Sequence, residues 1–290
     1  MEKSIKNYLT LLFLATVWGS SFILMKKGLL VFSDVQVAAL RLFIAFLSLV
    51  PFLFRAFKKV SKKHIFPIVI MAFFGNGIPA FLFTKAQTQL DSSLVGILNS
   101  LVPLFTLLLG VYFFKSRPSK TNIAGVLLGL CGAVFLTLFS MGKGVEINNY
   151  VLLVVLATVM YAVSINVIKK YLQDIDALSI TALAFSIIGP LSAFYIFNAD
   201  FLTLAKTDQG IEAMLYIALL AVVGTSSAVV IFNKLISRSS AIFASSVTYL
   251  IPIIAILWGM FDGEIITIHH ILAVAIILSG VYLVNKKKPN

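Results

Sequence analysis

Apolar residues in this chain gather into ten runs, near 8–25, 35–54, 65–84, 93–114, 122–139, 150–168, 178–197, 213–233, 241–261 and 270–285. A helix needs about 20 apolar residues to cross the hydrocarbon core of a bilayer, so each run predicts one membrane-spanning helix. The polar links are short and hold nearly all the charge. Only the link after the seventh run, 198–210, is long enough to carry structure of its own. The first run follows Lys3 and Lys6, as the core of a secretion signal would. It is too long for that core, no small-x-small cleavage site follows it, and it ends at Lys26-Lys27 as a span does. A retained first helix is the expectation.

The pattern also repeats. At an offset of 149 positions, without a gap, Gly75, Phe83, Lys85, Leu101, Pro103, Leu108 and Gly110 return as Gly224, Phe232, Lys234, Leu250, Pro252, Leu257 and Gly259. Leu and Phe matches mean little in so apolar a chain. The Gly and Pro matches mean more, because those residues mark backbone geometry. Leu14-Ala15-Thr16-Val17 recurs as Leu156-Ala157-Thr158-Val159, Lys26-Lys27 as Lys169-Lys170, and Asp34 as Asp176. The predicted architecture is therefore all-α and membrane-embedded, with one five-helix unit over 8–139 and a second over 150–285. Five is odd, so the second unit enters the membrane from the opposite side. Inverted repeats of this kind are a recurring plan of secondary transporters, with the site near the midplane. Pro79, Pro103 and Pro252 are expected to bend the helices beside that site.

Charge fixes the orientation. The links on the side of the termini hold seventeen basic and three acidic residues, against five and eight on the other side. Positive charge stays in the cytoplasm, so both termini are expected there, in a multi-pass protein of the cell's cytoplasmic membrane. An error of one span would scramble this asymmetry. Composition agrees: 60% of 290 residues are hydrophobic and 12% charged, with a mean hydropathy of +1.04. A soluble protein could not cover that much apolar surface, so the solvent is lipid. The net charge of +12 then belongs to the cytoplasmic links and points to no nucleic-acid partner. Cys131 stands alone, which excludes an internal disulfide and a cysteine metal cluster.

Trp18-Gly19-Ser20-Ser21-Phe22 with Lys26, and Ala39-Leu40-Arg41-Leu42, look like the opening motifs of a known family. The proline-containing fourth and ninth spans, Gly129-x-x-Gly132, and Gly263-Glu264 with Ser279-Gly280-Val281 fit the same pattern. The sequence resembles the EamA branch of the drug/metabolite transporter superfamily over essentially its whole length, in both halves. It departs after the fourth span, where the family usually has an acid and this chain has Lys115 and Arg117. The resemblance implies a ten-helix inner-membrane carrier, often an exporter of amino acids or other metabolites.

Polar groups inside a bilayer are costly and mark either a pathway or helix contacts. Arg41 is the one charge well inside a span. Six residues into its helix is about 9 Å of rise, so it either snorkels to the interface or offers a fixed positive charge to a carboxylate. Trp18 and its rough counterpart Tyr161 are either packing aromatics or an aromatic lining for an amphipathic solute. Asn76, Asn99 and Asn166 count for more than the Ser and Thr hydroxyls, because an amide cannot satisfy itself on its own helix. Asn99 and Thr248 correspond at the repeat offset, each four residues before a matched proline, and are the favoured pair for lining a pathway. Gly125, Gly129, Gly132, Ala273, Ser279 and Gly280 predict close helix packing, within the chain or in a homodimer. His269 and His270 near Glu264 lack a third spaced ligand, so no metal is expected.

No carboxylate lies inside a span to relay protons or sodium. There is no phosphate-binding glycine loop, and no nucleophile-base-acid set within the spans. The chain is expected to be no enzyme and to need no cofactor. The reading that remains is a secondary transporter, exporting a small organic metabolite, an amino acid or drug-like solute, by alternating access. A passive channel or facilitator and a nucleotide-sugar-type exchanger are the alternatives.

Overall fold

The computed structural model describes residues 2–90, 92–140, 149–196, 199–261 and 267–285, and among them there is helix and no strand. The first half holds α1 (Glu2–Leu29), α2 (Asp34–Phe57), α3 (Lys62–Ala86), α4 (Ser92–Asn99), α5 (Val102–Tyr112) and α6 (Lys120–Ser140). The second holds α7 (Tyr150–Tyr171), α8 (Ala177–Ala193), the short α9 (Ala199–Leu204), α10 (Asp208–Arg238), α11 (Ala241–Ser245), α12 (Val247–Phe261) and α13 (Ile268–Asn285). Side chains fix several starts. Ser33 and Gln36 form a reciprocal capping box on α2, and Asp176 caps α8 by accepting from Ser179 N at 3.1 Å. Thr207 and Ser240 cap α10 and α11 in the same way. Each cap satisfies an amide that the first helical turn leaves without a partner.

Six described helices are long and apolar enough to cross a membrane: Ile5–Leu29, Asp34–Phe57, Lys62–Ala86, Tyr150–Tyr171, Asp208–Arg238 and Ile268–Asn285. Val102–Tyr112, Lys120–Leu136, Ala177–Ala193 and Ala241–Ile254 are shorter apolar helices. Among the described residues, six of the predicted runs thus hold a helix of spanning length and the other four hold shorter apolar helices. Two runs, 93–114 and 241–261, are broken: α4 gives way to α5 across Ser100 and Leu101, and α11 to α12 at Ser246. Pro103 sits in the first turn of α5, just past its break, where its missing N–H costs nothing. Pro252 differs from expectation. It lies inside α12, six residues beyond the interruption, so the two prolines do not stand at matched breaks.

Both α3 and α10 widen into a π-turn, over Phe73–Gly77 and Val222–Ser227. The two widenings start 149 positions apart, the offset of the sequence repeat. Pro79 opens the helical segment after the first π-turn, and its counterpart in the second is Ala228. Proline is therefore not what forces the turn. Polar side chains hold it instead. Asn76 Nδ2 donates to Met71 O at 3.0 Å and Thr225 Oγ1 to Leu220 O at 3.1 Å, each reaching five residues back.

Helix packing follows the repeat. α2 lies along α8 and α6 along α13, while α1 packs on α10 and α12 as α7 packs on α3 and α5. Glycines set the α6–α13 approach. A Cβ on Gly280 would lie 2.5 Å from Gly129 N and 2.8 Å from Gly125 O, both backbone atoms that cannot move aside. Near the ends of α2 and α8, Lys59 pairs with Asp176 at 2.6 Å and Lys63 with Asp174 at 2.6 Å. Ser61 N–H donates to His64 Nδ1 at 3.1 Å, which leaves the ring proton on Nε2 to donate to Asp174 at 3.0 Å. Lys169 Nζ donates to the carbonyls of Ile236, Ser237 and Ser239, closing the C-terminal end of α10.

Replacing Gly280 by Val should separate α6 from α13 and lower the stability of the detergent-solubilised protein by roughly 1–3 kcal/mol, read as a drop in unfolding midpoint. The Lys63 ammonium, then His64, holds the Asp174 carboxyl down from 3.8 to about 2. A depressed carboxyl stabilises the folded chain above its unfolded value and loses that contribution as pH falls through its folded value. The unfolding midpoint of the wild type should therefore fall between pH 4 and pH 2 more steeply than that of Asp174→Asn.

Candidate functional site

Where α1, α2, α3, α7 and α10 converge with the two helix breaks, they leave a cavity of about 140 Å³. Its walls are built twice. Trp18 on α1 meets Phe232 on α10 edge-on, with centroids 5.1 Å apart. Tyr161 on α7 stacks on Phe83 of α3 at 5.7 Å. Phe83 and Phe232 are partners at the repeat offset, so each half lends one aromatic to the other pair's geometry. The crossings are matched as well. Gly75 lies so close to Ser164 that a Cβ would collide with its Oγ, and a Cβ on Gly224 would lie 2.7 Å from Ser21 Oγ. Glycine is needed at both positions because the helices approach here almost backbone to side chain.

Polar groups break that symmetry. Trp18 Nε1 donates to Gly224 O at 3.0 Å, so the indole ties α1 to the π-turn of α10. No hydrogen bond is made by the Tyr161 hydroxyl among the described residues. Arg41 faces the cavity rather than the interface, and its Nε donates to Thr225 Oγ1 at 2.6 Å. The position corresponding to Arg41 in α8 is Leu183, which is buried. Beside Arg41's contact, Ser48 Oγ donates to Ser226 Oγ at 2.9 Å, a second tie between α2 and α10.

The two helix breaks meet at the cavity. Pro252 has no N–H to offer Thr248 O, the carbonyl four residues back. Ser100 Oγ, on the other break, donates to that carbonyl at 3.2 Å. Asn99 and Thr248 both line the cavity. Thr248 Oγ1 donates back to Ser245 O at 3.1 Å, whereas Asn99 Oδ1 is buried with no partner.

Of the seven residues singled out from sequence, the structure brings together Trp18, Arg41, Asn76, Asn99, Tyr161 and Thr248 around one cavity. Asn166 is not among its walls. It donates instead to Thr106 O at 3.0 Å and Ala162 O at 2.9 Å, pinning α7 to α5. Tyr161, Ser164, Ile165 and Ile168 are the cavity face of α7, an i, i+3, i+4, i+7 stripe that leaves position 166 outside. The same stripe on α1, namely Trp18, Ser21, Phe22 and Met25, adds wall residues that polarity alone does not select. Helical periodicity is the signal that finds them. Glu264 lies outside the described residues. Among the described residues no three His, Cys, Asp or Glu side chains gather as a metal site would require.

A model of the EamA-like transporter family matches the chain twice, over residues 5–138 and 148–286. The chain belongs to the EamA-like transporter family. It is 22% identical over 285 residues to an uncharacterized transporter of Archaeoglobus fulgidus, covering 98% of this chain and 100% of that one. A probable amino-acid metabolite efflux pump of Salmonella typhimurium is 24% identical, with 94% and 92% covered. The inner membrane transporter YedA of Escherichia coli is 25% identical, with 94% and 88% covered. A solved crystal structure superposes with a TM-score of 0.73 at 16% identity, over 96% of each chain, which speaks for the fold alone. This EamA-like protein is a multi-pass membrane transporter.

The two aromatic walls make opposite predictions. Trp18→Phe keeps the ring against Phe232 but strands Gly224 O, and should cost roughly 1–3 kcal/mol of stability. Tyr161→Phe removes a hydroxyl that bonds nothing among the described residues and should move the unfolding midpoint hardly at all.

Proposed function

We propose that this transporter is a secondary carrier of ten spans, built as two inverted five-helix repeats over 8–139 and 150–285. Both termini lie in the cytoplasm, and a small organic metabolite, an amino acid or drug-like solute, moves outward across the cytoplasmic membrane by alternating access. The observation that carries the proposal is the cavity between the halves, whose walls are matched pairs one repeat apart. Trp18 with Phe232 and Tyr161 with Phe83, together with the paired π-turns, give either face an equivalent set of contacts to close around. Equivalent closures at the two ends are what a rocking mechanism needs. The double family match and the basic excess on the terminal side support the repeat and the orientation. The Salmonella typhimurium relative, described as an amino-acid metabolite efflux pump, supports export and the solute class.

Trp18, Arg41, Asn76, Asn99, Tyr161 and Thr248 contact the solute in this reading, and Asn166 supports α7. Reconstitution in liposomes tests it. Counterflow of at least one neutral amino acid or small amphipathic solute should exceed that in empty liposomes, and should fall at least tenfold in Asn99→Leu. A panel of such solutes with no movement above background would remove the support for a carrier. With no carboxylate facing the cavity among the described residues, the initial rate should change less than about twofold when a pH gradient of one unit is imposed. A steep response abolished by one acid-to-amide substitution would place a proton relay that this reading lacks.

A further inference from the structure

The basic residues on the side of the termini are not all in the same state. In the link between α2 and α3, Lys59 and Lys63 are paired with Asp176 and Asp174. Where α5 and α7 end together, the charge is unanswered. Lys115 and Arg117 follow α5, and Lys170 lies in the last turn of α7. All three are exposed, and among the described residues none of them forms an ion pair. The sequence has no acid between Asp91 and Glu146, and Asp174, four residues beyond Lys170, is already taken by Lys63 and His64. Backbone and rings bring the three cations together. Lys115 has a φ of 56°, in the left-handed region that side chains avoid, and Ser116 N–H donates to Gly110 O at 2.9 Å. The chain therefore folds back over the end of α5. Lys170 Nζ lies 5.7 Å from the centre of the Phe114 ring and 5.3 Å from that of Tyr171, and the two rings meet edge-on at 6.4 Å. Ring faces attract an ammonium and fix its place, but they cancel none of its charge. Since Phe114 immediately precedes Lys115, the stack draws the cation of α7 to the pair that follows α5.

Apolar surface lies beside the charges. Tyr112 is 77% and Phe113 72% exposed, and Leu108 and Val111 in the preceding turn also face outward. A soluble anion would meet the cations and leave these side chains uncovered. A lipid meets both, and basic pockets between helices at the cytoplasmic surface suit anionic headgroups. The geometry points to a binding site for one anionic phospholipid: Lys115, Arg117 and Lys170 take its phosphodiester, and its acyl chains lie against Tyr112, Phe113 and the outward face of α5. A zwitterionic lipid brings the same chains, but its own ammonium opposes the three cations. In the orientation proposed above this lipid belongs to the cytoplasmic leaflet, and its binding does not depend on transport.

Native mass spectrometry of the purified full-length protein in detergent tests the site. Phosphatidylglycerol and phosphatidylcholine with the same acyl chains are titrated in turn. Each basic residue beside an anionic headgroup is worth roughly fivefold in affinity, so phosphatidylglycerol should bind the wild type at least about tenfold more tightly. The triple variant Lys115→Gln, Arg117→Gln, Lys170→Gln should lose at least about tenfold in phosphatidylglycerol affinity and leave phosphatidylcholine binding unchanged. Arg55→Gln, Lys58→Gln, Lys62→Gln removes as much charge from the same face of the protein. It should cost less than about threefold, because those charges reach the headgroup only through screening water. If the first triple variant fails to fold, single variants replace it. Lys170→Gln and Phe114→Leu, which displaces the ammonium without removing it, should each lose at least about threefold. Lys170→Arg should bind as the wild type does. The unfolding midpoint gives a second readout: phosphatidylglycerol should raise that of the wild type and not that of the first triple variant. Cations kept only to complement the helix ends would lower the midpoint equally with either lipid. That result, equal binding of the two lipids, equal losses from the two triple variants, or protection by inorganic phosphate as strong as by phosphatidylglycerol overturns the assignment.

Discussion

A backbone carbonyl in hydrocarbon must find a donor within the protein, because there is no water to supply one. An unbroken helix meets that demand by itself. The helices around this cavity are not unbroken, and each widening or interruption frees a carbonyl that something else has to satisfy. The π-turns are closed by Asn76 onto Met71 O and Thr225 onto Leu220 O. Gly224 O takes the Trp18 indole, and Thr248 O, freed by Pro252, takes Ser100 from the opposite half. These bonds are why the polar residues of an otherwise apolar chain collect at its centre. They also couple the halves, since two of the four cross from one repeat to the other.

Symmetry in this molecule is carried by small and aromatic residues, and asymmetry by polar ones. Gly75 and Gly224 admit Ser164 and Ser21 at the two equivalent crossings, and Phe83 and Phe232 meet Tyr161 and Trp18. Shape is thereby nearly the same on both sides. Charge is not. Arg41 bonds Thr225, while at the corresponding place Leu183 has nothing to offer Asn76, which turns back onto its own helix. One half thus places a cation at the cavity, and the other buries a leucine at the matching position.

Much of this was legible in the chain. The offset of 149 positions found from glycines and prolines is also the offset of the π-turns, because both record the same demand for close or widened backbone. The depth of Arg41 left its direction open: snorkelling and cavity-facing are both reachable from the sixth residue of a helix, and only the position of Thr225 on α10 decides between them. Asn166 lies off the cavity wall, which its polarity did not reveal. Its amide is as polar as that of Asn99, but a residue's polarity says nothing about which side of the helix it occupies, and position 166 falls off the stripe running through Tyr161. The breaks and π-turns could not be placed from the prolines, because proline is neither necessary nor sufficient for one. Ala228 stands where Pro79 does and the same π-turn forms, while Pro252 stays inside a helix whose break lies at Ser246.

The placement of the satisfied and unsatisfied groups then has a functional logic. A carrier has to hold its halves together loosely enough to rock, and contacts that are equivalent in the two arrangements do not favour either. The matched glycine crossings and aromatic pairs are contacts of that kind. A solute, by contrast, can shift the balance only through groups that gain something when it arrives. Asn166, whose amide nitrogen already donates to Thr106 O and Ala162 O, has less left to gain. In the proposed carrier, Arg41 and Asn99 are groups that still have hydrogen bonds to make, Arg41 through the nitrogens that Thr225 does not take and Asn99 through its unpartnered Oδ1.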